Sequence, residues 1–478
     1  MKTRMILTVA LSMMAAAAAF AQVGEPYIHD PSTIAECDGK YYTLGTGSGG
    51  LISEDGWTWH SGAVRPGGGV APDILKIGDR YLVGYCIGLG SGGHDSSARI
   101  MWTKTLDPDS PDFGYTEPVE VAASLPDEDC DAIDISFLLG PDGRLWCTYG
   151  TYFGHIRVVE LDPKTGLRLE GNEPVDLGRD MEASVMIYRN GWYYLLGTHG
   201  TCCDGVNSTY NIVVGRSRYP QGPFIDNVGR TMLEGGGKAV LTTEGRLVGP
   251  GHFGRFIQED GVEKMSFHWE ADMDQSGRSV LGIRPLLWEN GWPVAGGAFE
   301  PGTYEIQSQR SGYALELAVD FVRAQGGMRG FSRGAADQPV VSIEAQKLEE
   351  IIGGWPEGTI DVRNGYYMAR PNQRWTITPV PEAGGYLGGP YYKITIEGTD
   401  RALAANADAE VEAVPQFNGA DEQLWRIDQL TDGTFRIMPK AVPGHSEPLA
   451  LVCLGDSSPT LVKFDFHSDN CKWNFKSY

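Results

Sequence analysis

Along the chain one hydrophobic pattern keeps returning: a turn carrying Gly or Asp, then a short strand rich in aromatic and branched side chains. It reads Gly39-Lys40-Tyr41-Tyr42-Thr43-Leu44, then Asp79-Arg80-Tyr81-Leu82-Val83-Gly84-Tyr85. It returns as Gly143-Arg144-Leu145-Trp146-Cys147-Thr148-Tyr149, as Gly191-Trp192-Tyr193-Tyr194-Leu195-Leu196, and more weakly as Gly261-Val262-Glu263-Lys264-Met265-Ser266-Phe267-His268. The copies open at 39, 79, 143, 191 and 261, so the intervals are 40, 64, 48 and 70 residues. Each interval holds a four-stranded antiparallel sheet plus a loop, and strand-built repeats of this size predict propeller blades. The expectation is an all-β chain that opens with a five-bladed β-propeller.

After Pro293 the pattern changes. Gly296-Gly297 and Pro301-Gly302 mark a boundary, and three Trp-ending triplets follow: Gln373-Arg374-Trp375, Gln423-Leu424-Trp425 and the degenerate Cys471-Lys472-Trp473. The Trp positions lie 50 and 48 residues apart. Three such copies resemble a ricin-type β-trefoil, which implies tryptophans that build a core and a module that binds carbohydrate. The first copy carries an insertion over residues 321–364. The expected domains are a signal peptide at 1–21, a propeller at 22–298 and a β-trefoil at 299–478.

Composition narrows the class. With 64 Gly, 28 Pro and 49 aromatic residues the chain is built for short strands and turns, not for helical heptads. A formal net charge of -23 argues against nucleic acid as a partner and against an anionic membrane surface. Lys2 and Arg4, the apolar run Met5 to Phe20 and Ala19-Phe20-Ala21 read as a cleaved export signal, with no later run long enough to span a membrane. Export, to the periplasm or beyond the cell, permits disulfides among the eight cysteines. Cys453 with Cys471 is the pair expected to bridge, and the adjacent Cys202 and Cys203 are expected not to.

Acids precede the repeated strands. Asp30 stands before the first, in Tyr27-Ile28-His29-Asp30-Pro31-Ser32; Pro31 stiffens the backbone there. Asp73 stands before the second, Asp134 before the third and Glu182 before the fourth. If first strands line a central channel, these acids converge although they are far apart in sequence. Converging carboxylates suit glycoside hydrolysis, in which one must be ionised to activate water and another protonated to hand a proton to the leaving oxygen. A third carboxylate raises the acid's pKa by like-charge repulsion. Trp57 and Trp59 are expected in the core, and the loop from Gly200 to Tyr210 at the pocket rim.

At these residues the chain resembles glycoside hydrolase family 43 over roughly residues 24–298. The matching segments are His29-Asp30-Pro31-Ser32, Ala71-Pro72-Asp73-Ile74, Ala132-Ile133-Asp134, Glu182-Ala183-Ser184, Gly249-Pro250-Gly251-His252 and Trp288-Glu289-Asn290-Gly291-Trp292-Pro293, in the family's order. The resemblance implies an inverting mechanism with Asp30 as general base, Glu182 as general acid and Asp134 as modulator of the acid's pKa. Ile135 stands where the family often has Pro, and Asp131 and Asp129 lie close by, which leaves the modulator open among the three. His252 looks like the histidine with which arabinan-directed members reach a channel cation, usually calcium, through water. The substrate this implies is a neutral polysaccharide or oligosaccharide with α-L-arabinofuranosyl linkages. The alternatives are a β-xylosidase or galactan-directed enzyme of the same fold, or a non-catalytic glycan-binding protein.

Overall fold

The computed structural model describes residues 22–88, 92–310, 312–322, 338–341, 355–455 and 457–477. The expected signal peptide and most of the expected insertion lie outside the described residues. The chain divides into two compact units, residues 21–297 and 298–478.

The first unit contains five blades, each built from strands consecutive in sequence and paired antiparallel. Blade 1 runs through Ala35–Cys37, Lys40–Leu44, Gly49–Ser53 and Thr58–Val64, and Val23–Gly24 adds a fifth, parallel strand at its outer edge. Blade 2 spans Val70–Ile77 to Val119–Ser124, and blade 3 spans Ser136–Leu139 to Val175–Arg179. Blade 4 spans Glu182–Arg189 to Lys238–Leu241, and blade 5 spans Leu247–Glu259 to Trp292–Ala295. From blade 1 to blade 5, the first strand of each blade lies against that of the next.

The second strands are apolar on both faces because a blade is covered by a neighbour on each side. Arg80–Ile87 is buried at every residue between its ends, and Val262–Asp272 along its whole length. Thr58–Val64, at the outside, alternates more nearly between buried and exposed. The hydrophobic clusters accordingly join blades: Tyr42, Ile74 and Tyr85 lie in one that spans blades 1 and 2, and Ile187, Phe253 and Trp269 in one that spans blades 4 and 5. Trp57 and Trp59 are fully buried, as expected of core residues.

A second set of bonds joins the blades near the head of each first strand. Five non-glycine residues there have left-handed backbones: Asp30, Ala71, Asp134, Ala183 and His252, with φ between 46° and 60°. This conformation is costly for residues with a Cβ and persists only where the surroundings hold it. In four blades the N–H of the left-handed residue is taken by a side chain of the preceding blade. Asp30 N–H donates to His268 Nδ1 (2.9 Å) and Ala71 N–H to Thr46 Oγ1 (3.1 Å). Ala183 N–H donates to Asp134 Oδ2 (2.8 Å) and His252 N–H to Thr198 Oγ1 (2.9 Å). In blade 3 a nearby N–H, that of Ala132, is held by Ser96 Oγ of blade 2 (2.8 Å).

The ring closes without exchanging a strand between blades 1 and 5. Its seam is the Asp30–His268 bond, a bridge between Tyr27 and Val280, the Leu281 N–H to Pro26 carbonyl bond (2.8 Å) and the Ser279 hydroxyl on the Ile28 carbonyl (2.8 Å).

The second unit is a β-trefoil whose three repeats are marked by one contact. Each follows a single 3₁₀ turn: Pro371–Gln373, Asp421–Gln423 and Asp469–Cys471. The indole N–H of Trp375, Trp425 and Trp473 then donates to the carbonyls of Leu315, Leu403 and Leu451, each at 2.9 Å. The partners are 22 residues apart in the later copies and 60 in the first, which locates the extra chain of the first repeat. All three tryptophans are fully buried in one core, so they are structural and present no face to a sugar.

The cysteines depart from expectation. Cys202 and Cys203 form a disulfide, whereas Cys453 and Cys471 are both buried and unbridged. Cys453 N–H bonds the carbonyl of Asn470, so the two segments are adjacent, but the Cys453 thiol points at the Gly455 carbonyl and the Cys471 thiol at the Asp465 backbone. Proximity in sequence does not aim the sulfurs at each other.

Asp73 also differs from the other acids. It is buried, with Oδ1 accepting from Thr33 N–H of the chain entering blade 1 (3.0 Å) and Oδ2 from Phe137 N–H of blade 3 (3.1 Å). Replacing it by Asn would set an amide NH₂ against one of these N–H groups. Asp73→Asn is therefore expected to destabilise the protein by about 2–3 kcal/mol, read from denaturant unfolding; no loss would show that the two bonds are dispensable.

Candidate active site

Asp30, Asp134, Glu182 and His252 come from four different blades and meet at the heads of the first strands. The left-handed turns put them there. Asp30, Asp134 and His252 are themselves left-handed residues, and Glu182 directly precedes the left-handed Ala183. In blade 2 that position is held by Ala71, and Asp73 falls two residues later, which turns its carboxylate in between the blades. Four acids that look equivalent in sequence thus have two different fates.

Asp30 is surrounded by imidazoles and a hydroxyl. His252 Nδ1 lies 3.3 Å from its Oδ1 and His29 Nε2 3.6 Å away, and the Thr46 hydroxyl donates to Oδ2 at 2.6 Å. Burial works against the charge, but the His252 bond and the neighbouring imidazoles outweigh it and hold Asp30 far below the usual carboxylate range. Reciprocally, burial would lower His252, yet the bond to Asp30 and its charge raise it.

His268 is fully buried and stacks on His29, with ring centroids 4.6 Å apart. Because its Nδ1 accepts the Asp30 N–H, its proton sits on Nε2 and faces Glu270 Oε1 at 3.3 Å. Burial lowers its pKa, in keeping with a neutral ring. Glu270, despite burial, is held ionised by His268 and His29.

Glu182 is in the opposite situation. Burial, followed by the charges of Asp134, Asp30 and Glu270, pushes its pKa well up, so it keeps a proton at neutral pH. The Tyr210 hydroxyl donates to its Oε1. Asp134 is also raised, first by burial, with Asp30 adding to it. Of the three neighbouring aspartates only Asp134 reaches Glu182's strand, through its bond to Ala183 N–H. Asp131 is engaged by His94 (2.9 Å) and Thr151 (2.7 Å), and Asp129 is paired with Arg157 (2.9 Å).

The arrangement can hold one carboxylate ionised and one carboxyl protonated in the same channel. Its direct ligands do not suit a hard cation. Among the described residues, the clusters of potential metal ligands are His29, Cys202, Cys203 and Glu270, and His29, Asp30 and His268; His252 belongs to neither. With Nδ1 turned to Asp30, His252 offers a hydrated ion only Nε2, and the oxygen shell that calcium takes would have to be water.

Sequence reasoning missed Tyr210, His268 and Glu270. A signal was present for two of them: His268 ends the weak fifth repeat and Glu270 follows two residues later on the same strand. Tyr210 closes a loop that was read only as a rim.

Comparison with known proteins places the chain in a family. Residues 29–293 match Glycosyl hydrolases family 43, and residues 371–445 match the Ricin-type beta-trefoil lectin domain-like family. The chain is 31% identical over 306 residues to the extracellular endo-alpha-(1->5)-L-arabinanase 1 of Bacillus subtilis (strain 168), covering 58% of this chain and 90% of that one. It is 28% identical over 300 residues to the extracellular exo-alpha-(1->5)-L-arabinofuranosidase ArbA of Cellvibrio japonicus (strain Ueda107), covering 56% and 85%. Among solved structures it is similar to an exo-1,5-alpha-L-arabinanase from a bovine ruminal metagenomic library, with 30% identity, a TM-score of 0.53, and 57% and 97% of the two chains covered. With its propeller matched from His29 to Pro293 and a trefoil behind it, the chain belongs to glycosyl hydrolase family 43, a family of inverting glycoside hydrolases.

Proposed function

We propose that the protein is an exported arabinan-degrading enzyme that cleaves α-L-arabinofuranosyl linkages with inversion. One observation carries the assignment of roles: two carboxyl groups in one channel are driven in opposite directions. Asp30, ionised among imidazoles, is the general base that takes a proton from the attacking water. Glu182, kept protonated by burial and like charges, is the general acid that protonates the departing glycosidic oxygen. Asp134 raises the acid's pKa and, through Ala183 N–H, fixes the turn that carries it. Tyr210 orients the Glu182 carboxyl. The names of the two relatives, both acting on α-(1→5)-linked L-arabinose polymers, support the substrate. A neutral glycan also fits the chain's net charge of -23. The trefoil unit holds the polymer near the enzyme, in line with its lectin-like match.

The test is sugar release from arabinan, arabinoxylan, galactan and aryl glycosides. Wild type is expected to release arabinose or arabino-oligosaccharides, and Glu182→Gln to lose about 10²–10⁴-fold in kcat. Xylose or galactose as the main product would overturn the substrate, and equal activity in the variant would overturn the acid.

The pH profile tests Asp134. The acid works while protonated, so turnover falls as pH rises through the pKa of Glu182. Asp134→Asn keeps an acceptor for Ala183 N–H but removes a negative charge beside Glu182. The alkaline limb should move to lower pH, and an unmoved limb would take the modulating role from Asp134.

A hydrated calcium ion reached by His252 through water is the further element of the proposal. Chelation with EDTA is expected to lower activity and added Ca²⁺ to restore it; full activity after chelation removes the ion.

A further inference from the structure

The loop from Gly200 to Tyr210 touches the surroundings of both carboxyls. At its closing end Tyr210 bonds Glu182. Near its opening end the Cys202–Cys203 disulfide faces His29, whose Nε2 lies 3.9 Å from one sulfur and 3.7 Å from the other. The same Nε2 is 3.6 Å from Asp30 Oδ1. The loop is cinched at its neck: Thr201 N–H donates to Thr209 Oγ1 (3.0 Å), and the Ser208 hydroxyl to the Thr201 carbonyl (2.9 Å). The Cys203 backbone bonds Glu270, and the Cys202 backbone bonds Tyr152. Cys202 is half-buried and Cys203 exposed, so the sulfurs are held in place but not sealed in.

We propose that the Cys202–Cys203 disulfide is one wall of a sugar subsite beside Asp30 and takes the apolar C–H face of a neutral sugar ring. The inference rests on the reading of Asp30 as the base. Thr46, His252 and the backbone partner His268 already occupy other sides of Asp30. A sugar whose anomeric carbon is within reach of water held by Asp30 therefore lies toward His29 and the sulfurs above it. A disulfide has no proton to donate and accepts hydrogen bonds weakly. What it offers is polarisable surface in dispersion contact with C–H groups. The hydroxyls of the ring are left to His29, Glu270 and Tyr152, which contact the same two cysteines. Ionised Glu270 makes this subsite unfavourable for a uronate. Tying two adjacent sulfurs together also fixes the wall before substrate arrives, which reduces the ordering cost of binding.

The experiment compares wild type with the double variant Cys202→Ala, Cys203→Ala. The readouts are kcat and KM on linear α-1,5-arabino-oligosaccharides, and calorimetric Kd for the same oligosaccharides with both proteins also carrying Glu182→Gln. The expected result is a KM and Kd raised about five- to tenfold, with kcat within about twofold. Treating folded wild type with a water-soluble phosphine should raise KM in the same direction and leave the double variant unaffected. Unchanged KM and Kd with only a lower Tm would make the disulfide a staple of the loop and overturn the subsite. If the double variant does not fold, the phosphine-treated wild type decides alone, and an unchanged KM there overturns the proposal. If wild type cleaves no arabinan, the proposed function falls separately. The Kd comparison, extended to xylo- and galacto-oligosaccharides, then still decides the wall, and equal or absent binding in the two proteins overturns it.

Discussion

The propeller depends on one repeated constraint: a backbone N–H at the head of a first strand, held by a side chain from the preceding blade. The left-handed residue there is costly by itself, on the order of 1–3 kcal/mol. The inter-blade bond over-determines it, and in return the backbone turns sharply enough to put a side chain into the channel. Cohesion between blades and placement of the chemistry are therefore the same interaction. Asp134 shows this most directly: one carboxylate oxygen anchors the Ala183 turn, and that turn aims Glu182.

Related positions produce opposite chemistry because the neighbours differ. Asp30 sits among three imidazoles, one of which is tied down by Glu270, so its charge is stabilised although it is buried. Glu182 sits among carboxylates and a phenol, so burial wins and it holds its proton. The fold supplies equivalent positions; the residue types on the flanking blades set the protonation state at each one.

Much of this was readable in the chain. The blade count followed from the turn-plus-aromatic repeats, and the trefoil from three evenly spaced tryptophans, because both are local patterns repeated at a fixed scale. Asp30, Asp134 and Glu182 were singled out by their positions before those repeats, and His252 by the family's motifs; the structure brings the four together. Alternation could not help in the middle strands, since residues such as Met265 and Phe267 are covered on both faces along with those between them. The fate of Asp73 depended on where the left-handed residue falls, two positions before it instead of at it, and no composition rule encodes that. The disulfide was missed for a similar reason: the closeness of Cys453 and Cys471 said nothing about where their thiols point, and the adjacency of Cys202 and Cys203 counted against a bond that the cinched loop supports.

The seam between blades 1 and 5 has a further consequence. Many rings of this kind could be locked by lending a strand from one end of the chain to the other; here a few hydrogen bonds near Tyr27 and Val280 do it, and Asp30 is carried by the segment that forms them. Opening the ring there would part Asp30 from His268 while every blade kept its own ladder. Gradual heating should thus silence the enzyme before it melts the sheets, and the margin between those two temperatures is a direct gauge of how firmly the ring is latched.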